Sequence, residues 1–189
     1  AIALDPNDPE TVWVGTGEAW TRNSVSIGDG IYRSRDGGET WTHMGLPQSE
    51  RIVKILVRPD NSSVVYACVT GKLWSDSDDR GVYRTEDAGA SWSLVLKGAN
   101  ASTGCGSMSM DPKHPDTLFA TLWDFRRNGW TFRSGGENAG AVSGSGLYRS
   151  EDGGAHWTEL TEAANKGLPA KPYGRIAVAV APMRMDVRR

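Results

Sequence analysis

Only two cysteines and three histidines occur among the 189 residues. Two cysteines cannot supply the framework that holds small disulfide-rich domains together. Cys68 falls in a strand-like run and Cys105 at the entry to the next one. Two free, buried or half-buried thiols are therefore expected, with a disulfide as the alternative. His43, His114 and His156 stand at no metal-ligand spacing, which argues against a metal site. No phosphate loop, nucleophile elbow or zinc-protease helix motif is present, so no cofactor is expected. Charge of one sign is also lacking: 21 basic against 23 acidic residues leave a net charge of −2. That excludes the broad basic field of a nucleic-acid binder. No apolar run is long enough for a membrane-spanning helix, and no signal peptide is visible. Nor does any stretch hold a 3.6-residue apolar period, apart from room for one turn at residues 162–166.

What is present is a repeat. Ser34-Arg35-Asp36-Gly37-Gly38-Glu39-Thr40-Trp41, Thr85-Glu86-Asp87-Ala88-Gly89-Ala90-Ser91-Trp92 and Ser150-Glu151-Asp152-Gly153-Gly154-Ala155-His156-Trp157 share one pattern. It reads Ser/Thr-x-Asp-x-Gly-x-x-Trp. A Gly-x-Tyr-Arg run leads into each copy, at residues 30–33, 81–84 and 146–149. Proline turns at Pro6, Pro59 and Pro112 recur every 53 residues, and the next, at Pro182, follows after 70. Short runs rich in Val, Ile, Tyr and Trp lie between Gly, Pro, Asp and Asn, which is the mark of strands and turns. Four strands per repeat of about 50 residues predict propeller blades. The fold expected is all-β: a β-propeller segment of about three four-stranded antiparallel blades plus one extra strand. Blade 1 is placed at about 1–46, blade 2 at 51–97 and blade 3 at 105–161, with the first strand of a fourth at 175–181.

The repeated Asp motif suits a hairpin turn. Its hydroxyl and carboxylate can bond turn backbone groups, and Gly38, Gly89 and Gly154 can take positive φ. Its Trp can bury a large ring over the hairpin. Ser34, Asp36, Gly38 and Trp41, then Thr85, Asp87, Gly89 and Trp92, then Ser150, Asp152, Gly154 and Trp157 are read as structural. The same spacing occurs in every blade, whereas an active site occurs once.

These residues resemble the Asp boxes of bacterial neuraminidase-repeat β-propellers. That superfamily includes sialidases, xyloglucanase-type glycoside hydrolases, sortilin-like receptor domains and a photosystem assembly factor. The resemblance covers nearly the whole chain. The wider pattern, from Val12-Trp13-Val14-Gly15-Thr16-Gly17-Glu18 to Gly30-Ile31-Tyr32-Arg33-Ser34, is most similar to secreted bacterial sortilin-type propeller proteins. The sialidase Arg-Ile-Pro sequence is missing: Arg51-Ile52-Val53 and Arg175-Ile176-Ala177 both lack the proline. Sialidase activity is therefore not expected.

In a propeller, loops between second and third strands share a face with the blade-to-blade crossings. Here those loops vary, which is where binding and catalysis concentrate. They span residues 16–29, 70–80 and 124–145. Each holds a tryptophan, Trp20, Trp74 or Trp130, beside acids or amides: Glu18, Asn23 and Asp29; Asp76, Asp78 and Asp79; Asp124, Asn128, Glu137 and Asn138. Aromatic faces beside such groups suit a sugar ring, and a glycosidase needs two carboxylates across the scissile bond. Glu18, Asp79 and Glu137 are the weak catalytic candidates. Trp20, Asn23, Trp74, Arg126 and Trp130 are the candidate ligand-binding residues. The alternative packs the rings between blades and leaves the acids solvated.

The main functional expectation is a secreted or periplasmic binding or scaffold module that contacts polysaccharide or protein. The alternative is a fragment of a glycoside hydrolase acting on a polysaccharide. Residues 183–189 lack the aromatic strand that a fourth repeat should show, which suggests truncation or an altered reading frame. Three blades with open sides also suggest self-association, a homodimer closing a six-bladed ring. Residues 175–181 of one copy would then pair beside residues 1–4 of the other.

Overall fold

The structure is a computed structural model and describes residues 1–135 and 143–181. Thirteen strands form three antiparallel sheets among the described residues. Blade 1 contains β1 (Ile2–Asp5), β2 (Asp8–Gly15), β3 (Ile31–Ser34) and β4 (Thr42–His43) in sequential order. Blade 2 repeats this with β5 (Ile52–Val57), β6 (Val65–Val69), β7 (Gly81–Thr85) and β8 (Ser93–Leu96). Blade 3 contains β9 (Thr103–Met110), β10 (Leu118–Arg127), β12 (Gly146–Ser150) and β13 (Thr158–Leu160), with β11 (Phe132–Ser134) paired to the far end of β10.

The middle blade shows what holds the sheets together. All five residues of β6 are buried. Because a strand alternates its side chains, Val65, Ala67 and Val69 pack toward blade 1, in one cluster with its Trp13 and Ile31 and with Ile52 and Ile55 of β5. Tyr66 and Cys68 pack the other way, against Cys105, Met108, Leu118, Ala120 and Leu122 of blade 3. Both faces of this antiparallel sheet are thus interior, so β6 reads as one continuous apolar run rather than an alternation.

The Asp boxes form the hairpins between third and fourth strands and repeat bond for bond. The Ser34, Thr85 and Ser150 hydroxyls donate to the Asp36, Asp87 and Asp152 carboxylates at 2.7, 2.7 and 2.8 Å. The same hydroxyls accept from Gly38, Gly89 and Gly154 N–H at 2.8, 2.9 and 2.8 Å. Each carboxylate also accepts a backbone N–H four residues on, from Thr40, Ser91 or His156. A further N–H in each box donates near the start of the blade's second strand: Gly37 to the Glu10 carbonyl of β2, Ala88 and Gly153 to the Ser63 and Asp116 carbonyls of the turn before it. That residue is left-handed in every box, even where it is Ala88, at φ 54°.

The boxes also join blades. Gly89 lies against the Trp13 ring of blade 1, and the Ala88 carbonyl accepts from Arg33 Nη1 at 2.6 Å. Gly154 lies against the Tyr66 ring of blade 2, and the Gly153 carbonyl accepts from Tyr66 OH at 2.8 Å. Trp13 and Tyr66 hold the same place in their repeats, so one contact is built twice. Trp92 Nε1 also reaches back to the Met44 carbonyl of blade 1, whereas Trp41 and Trp157 bond the glycine carbonyl of their own box.

Two expectations need correction. The cysteines are not free: Cys68 and Cys105 form a disulfide, with both residues fully buried. The bond joins β6 to β9 across the interface of blades 2 and 3, because the repeat brings the inward face of one second strand against the next first strand. Residues 175–181 form no strand, and the extra strand of the fold is β11. The segment instead runs across the open face of blade 3. Val178 and Val180 N–H donate to the Ser107 and Ser109 hydroxyls at 3.3 and 3.0 Å, and the Ile176 carbonyl accepts from Thr121 Oγ1 at 2.9 Å. Bonds to side chains standing off a sheet face build no ladder. The segment is held by its own blade, as the first strand of a following blade would be.

Gly38→Ala should cost about 1–2 kcal/mol, the strain of the left-handed position alone. Gly89→Ala should cost ~1–3 kcal/mol more, since its new Cβ would stand 2.9 Å from Trp13 Cη2. Equal urea unfolding midpoints for the two variants would contradict the blade-joining role of the second box. Cys68→Ser should lower stability by about 2–4 kcal/mol through loss of the loop closure. In an unfolding titration, added reductant should then have no further effect on that variant.

Candidate functional site

The variable loops of all three blades meet at the end of the molecule where β10 outruns its neighbours. Strand β10 continues to Arg127, past the last residue that β12 pairs, and turns back at Asn128–Thr131 into β11. Trp123 and Phe125 stack with centroids 4.6 Å apart, and Phe132 closes over them. Leu73 from the blade 2 loop and Val25 from the blade 1 loop complete a small apolar core. That core is the physical reason the loops share one surface.

Polar bonds lock the same arrangement. Arg127 Nε donates to Asn23 Oδ1 of the first loop at 2.7 Å, and Arg127 N–H donates to the Leu73 carbonyl of the second at 3.1 Å. Arg126 pairs with Asp76 of the second loop. Arg80, almost fully buried, lies over the Phe125 ring at 4.7 Å. Its guanidinium donates to the carbonyls of Thr70, Lys72, Ser75 and Ser102, pinning the second loop to the crossing that enters blade 3. Burial lowers its pKa to about 10, which leaves it charged at neutral pH.

On this platform the three tryptophans face solvent: Trp20 is 68 % exposed, Trp74 43 % and Trp130, at the hairpin tip, 99 %. None packs between blades. Glu18 accepts from Arg22 at 2.5 Å and from Ser26 N–H at 3.4 Å, which fixes it within the first loop. Asp79 accepts from the Ser77 hydroxyl at 3.1 Å and borders a separate cavity of about 210 Å³ with Tyr83 and Leu46. Asp78 is held below the usual carboxylate range by Lys97, 2.8 Å away. Glu137 and Asn138 lie outside the described residues. Asn23 and Arg126 are both engaged in loop-to-loop bonds.

Asp124 is not a loop acid. It lies in β10, 2 % exposed, and accepts from Ser102 Oγ at 2.6 Å, Asn100 Nδ2 at 3.0 Å and Gly144 N–H at 3.1 Å. Arg133 pairs with it at 2.8 Å. Phe125, next to it, is likewise interior. Sequence reasoning cut β10 short because strands of the first two blades end sooner. It also missed Arg80 and Leu73, although an Arg directly before the Gly-x-Tyr-Arg run and a Leu inside a polar loop were both visible signals.

Burial alone would raise the Asp124 pKa, but the bonds from Arg133, Ser102, Asn100 and Gly144 outweigh it and hold the value near 2. Asp36 and Asp87 are also held at about 2, chiefly by the hydroxyl and N–H of Thr40 and of Ser91. Asp152 is lowered too, first by His156 N–H. A carboxylate with a depressed folded pKa stabilises the fold above its unfolded value and loses that contribution as pH falls through the folded one. Stability measured by tryptophan fluorescence should therefore be flat above about pH 5 and fall steadily from there toward about pH 2. Asp124→Asn should be less stable at neutral pH and show a shallower acid slope; an unchanged slope would contradict the assignment.

Known proteins show the same architecture. A xyloglucanase of Paenibacillus sp is 27 % identical over 200 residues, an alignment covering 92 % of this chain and 16 % of that protein. The xyloglucanase Xgh74A of Acetivibrio thermocellus is 25 % identical over 192 residues, covering 92 % and 20 %. This chain thus spans a fifth or less of the length of these relatives. The solved GH74 enzyme of Niastella koreensis superposes with a TM-score of 0.54 at 22 % identity, over 84 % of this chain and 22 % of that one, a likeness of fold. The sequence model described as Sortilin-Vps10 (sortilin, neurotensin receptor 3) matches residues 29–171, from the end of the first variable loop into the segment after the third blade. Box, blade and loop recur across that match, and the chain belongs to the Sortilin-Vps10 family.

Proposed function

We propose that this chain is a segment of a propeller glycoside hydrolase acting on a polysaccharide, and that its loop face binds the glycan chain. The supporting observation is that each blade's variable loop carries an exposed tryptophan, on loops tied to one another by packing and hydrogen bonds. A β-linked glucan offers flat C–H faces that stack on such rings, and hydroxyls that suit neighbouring acids and amides. The relatives named as xyloglucanases make xyloglucan the first substrate to test. Glu18 and Asp79 are the carboxylates available for acid–base chemistry among the described residues named as candidates. A second carboxylate across the bond would come from elsewhere in a complete enzyme. The buried Cys68–Cys105 disulfide supports an oxidising, extracytoplasmic location. A pure binding module remains the second reading, favoured by the engagement of Glu18 with Arg22.

Affinity electrophoresis in xyloglucan gels tests the platform. Trp74→Ala and Trp130→Ala should each weaken retention about tenfold, a loss of ~1.4 kcal/mol, with unfolding unchanged. Retention equal to that of the unsubstituted chain would overturn the glycan face. In the complete enzyme, reducing-sugar release lost in Glu18→Gln or Asp79→Asn with glycan retention intact would separate hydrolysis from simple binding.

A further inference from the structure

The cavity bordered by Asp79 lies between blades 1 and 2, two sheets that each have all four strands. Its lining comes from two stretches: Leu46, Pro47, Gln48 and Ser49 of the crossing between the blades, and Asp79 and Tyr83 of blade 2. None of the three exposed loop tryptophans lines it. Two hydroxyls on this wall lack a partner. Ser49 is 2 % exposed, and its Oγ makes no hydrogen bond among the described residues. Buried hydroxyls are nearly always paired, so an unpaired one at a cavity wall calls for a ligand. Tyr83 is the second. Its counterpart in blade 1, Tyr32, donates to Asp29, three residues before it, at 2.8 Å. In blade 2 Arg80 takes that place, its guanidinium engaged with backbone carbonyls, and the acid moves one residue back to Asp79. Burial first and the Asp79 charge second raise the Tyr83 pKa, with no hydrogen bond between the two groups. Acid and phenol thus both line the cavity without closing on each other. Asp79 Oδ2 accepts from the Ser77 hydroxyl at 3.1 Å, and its other oxygen takes no bond from the described residues. The crossing is strained as well. Leu46 and Glu50 have φ of 56° and 49°, and among the described non-glycine residues only Ala88 shares a positive φ. Strain of this kind collects where a loop shapes a ligand site.

We infer that this cavity takes one sugar ring bearing adjacent hydroxyls. Its volume of about 210 Å³ is below the roughly 300 Å³ at which pockets for larger ligands begin, so one ring enters and a chain does not. Adjacent ring hydroxyls donate to Asp79 and to Ser49 Oγ, and the Tyr83 hydroxyl donates to a ring oxygen. The Tyr83 ring and the Leu46 and Pro47 side chains cover C–H faces. A lone cation would satisfy Asp79 and leave Ser49 and the apolar wall unused, and no group of three metal-ligating side chains occurs among the described residues. Asp79 here holds hydroxyls of a bound ring, a task separate from proton transfer. The choice of a sugar rests on the glycan reading of the loop face; the unpaired hydroxyls and the strained crossing do not. The ring arrives either as a free monosaccharide or as a terminal or branching residue of a polymer.

The experiment is saturation-transfer NMR on the 189-residue chain, titrated in turn with xylose, glucose, cyclohexanol and methylammonium at millimolar concentration. Xylose and glucose should receive saturation. Cyclohexanol and methylammonium, which lack adjacent hydroxyls, should not. Ser49→Ala and Tyr83→Phe should each weaken sugar binding about fivefold, the scale of one neutral hydrogen bond. Unfolding should be unchanged in both, because neither hydroxyl is bonded within the chain. Xyloglucan gels then distinguish the two sources of the ring. Free-sugar binding weakened by Ser49→Ala with gel retention intact assigns a free monosaccharide; weakening of both assigns a residue of the polymer. Free-sugar binding that Ser49→Ala weakens, in a chain that xyloglucan does not retain at all, would uphold the cavity and remove the glycan face. No saturation of either sugar, equal saturation in wild type and both variants, or saturation of methylammonium in place of the sugars would overturn the inference, whatever the gels show.

Discussion

Burial of second-strand aromatics under the next blade's box hairpin is the contact on which the rest of this structure depends. A four-stranded sheet on its own leaves both faces open to water, so its apolar residues need a second layer to bury them. Here Trp13 and Tyr66 each place a large ring where the following hairpin offers glycine rather than a side chain. The absence of a Cβ at Gly89 and Gly154 lets backbone lie flat on the ring, and Arg33 or the Tyr66 hydroxyl then satisfies the adjoining carbonyl. Apolar burial and backbone hydrogen bonding are met by one motif. The Asp and hydroxyl of each box hold its turn in the left-handed geometry that the contact requires.

That contact explains the placement of the disulfide and of the loops. Stacking second strand on first strand brings Cys68 and Cys105 face to face, 37 residues apart in sequence. It also sets the ends of β2, β6 and β10 side by side, so the loops that follow them are neighbours. The extension of β10 adds Trp123 and Phe125, on which Val25, Leu73 and Phe132 converge. Arg80, Arg126 and Arg127 then tie separate loops together through carbonyls, Asp76 and Asn23. The exposed tryptophans stand on loops held together by packed side chains rather than on free loops.

The same arrangement assigns opposite roles to residues of one chemical type. Asp124 is buried, paired with Arg133 and bonded on both oxygens, and it supports the platform from within. Asp79 and Glu18 keep part of their surface in water. Trp123 is interior while Trp130, seven residues on, is fully exposed. The difference is one of position: Trp123 lies on β10 where two strands and the loops cover it, and Trp130 lies at a hairpin tip.

Sequence by itself determined the repeat, the four-stranded blades and the hairpin position of each box. A period near 53 residues and fixed turn residues are local signals, carried by backbone preferences that act within a few residues. It also marked the face on which the variable loops lie, because strand order sets which connections share an end. Tertiary structure alone decided that Cys68 meets Cys105, that Asp124 is internal, that residues 175–181 cross a sheet face rather than join a ladder, and that the three loop tryptophans are exposed. Each of these depends on which residues from distant repeats come into contact. Such pairings arise from packing between blades and leave no trace in any one blade's sequence.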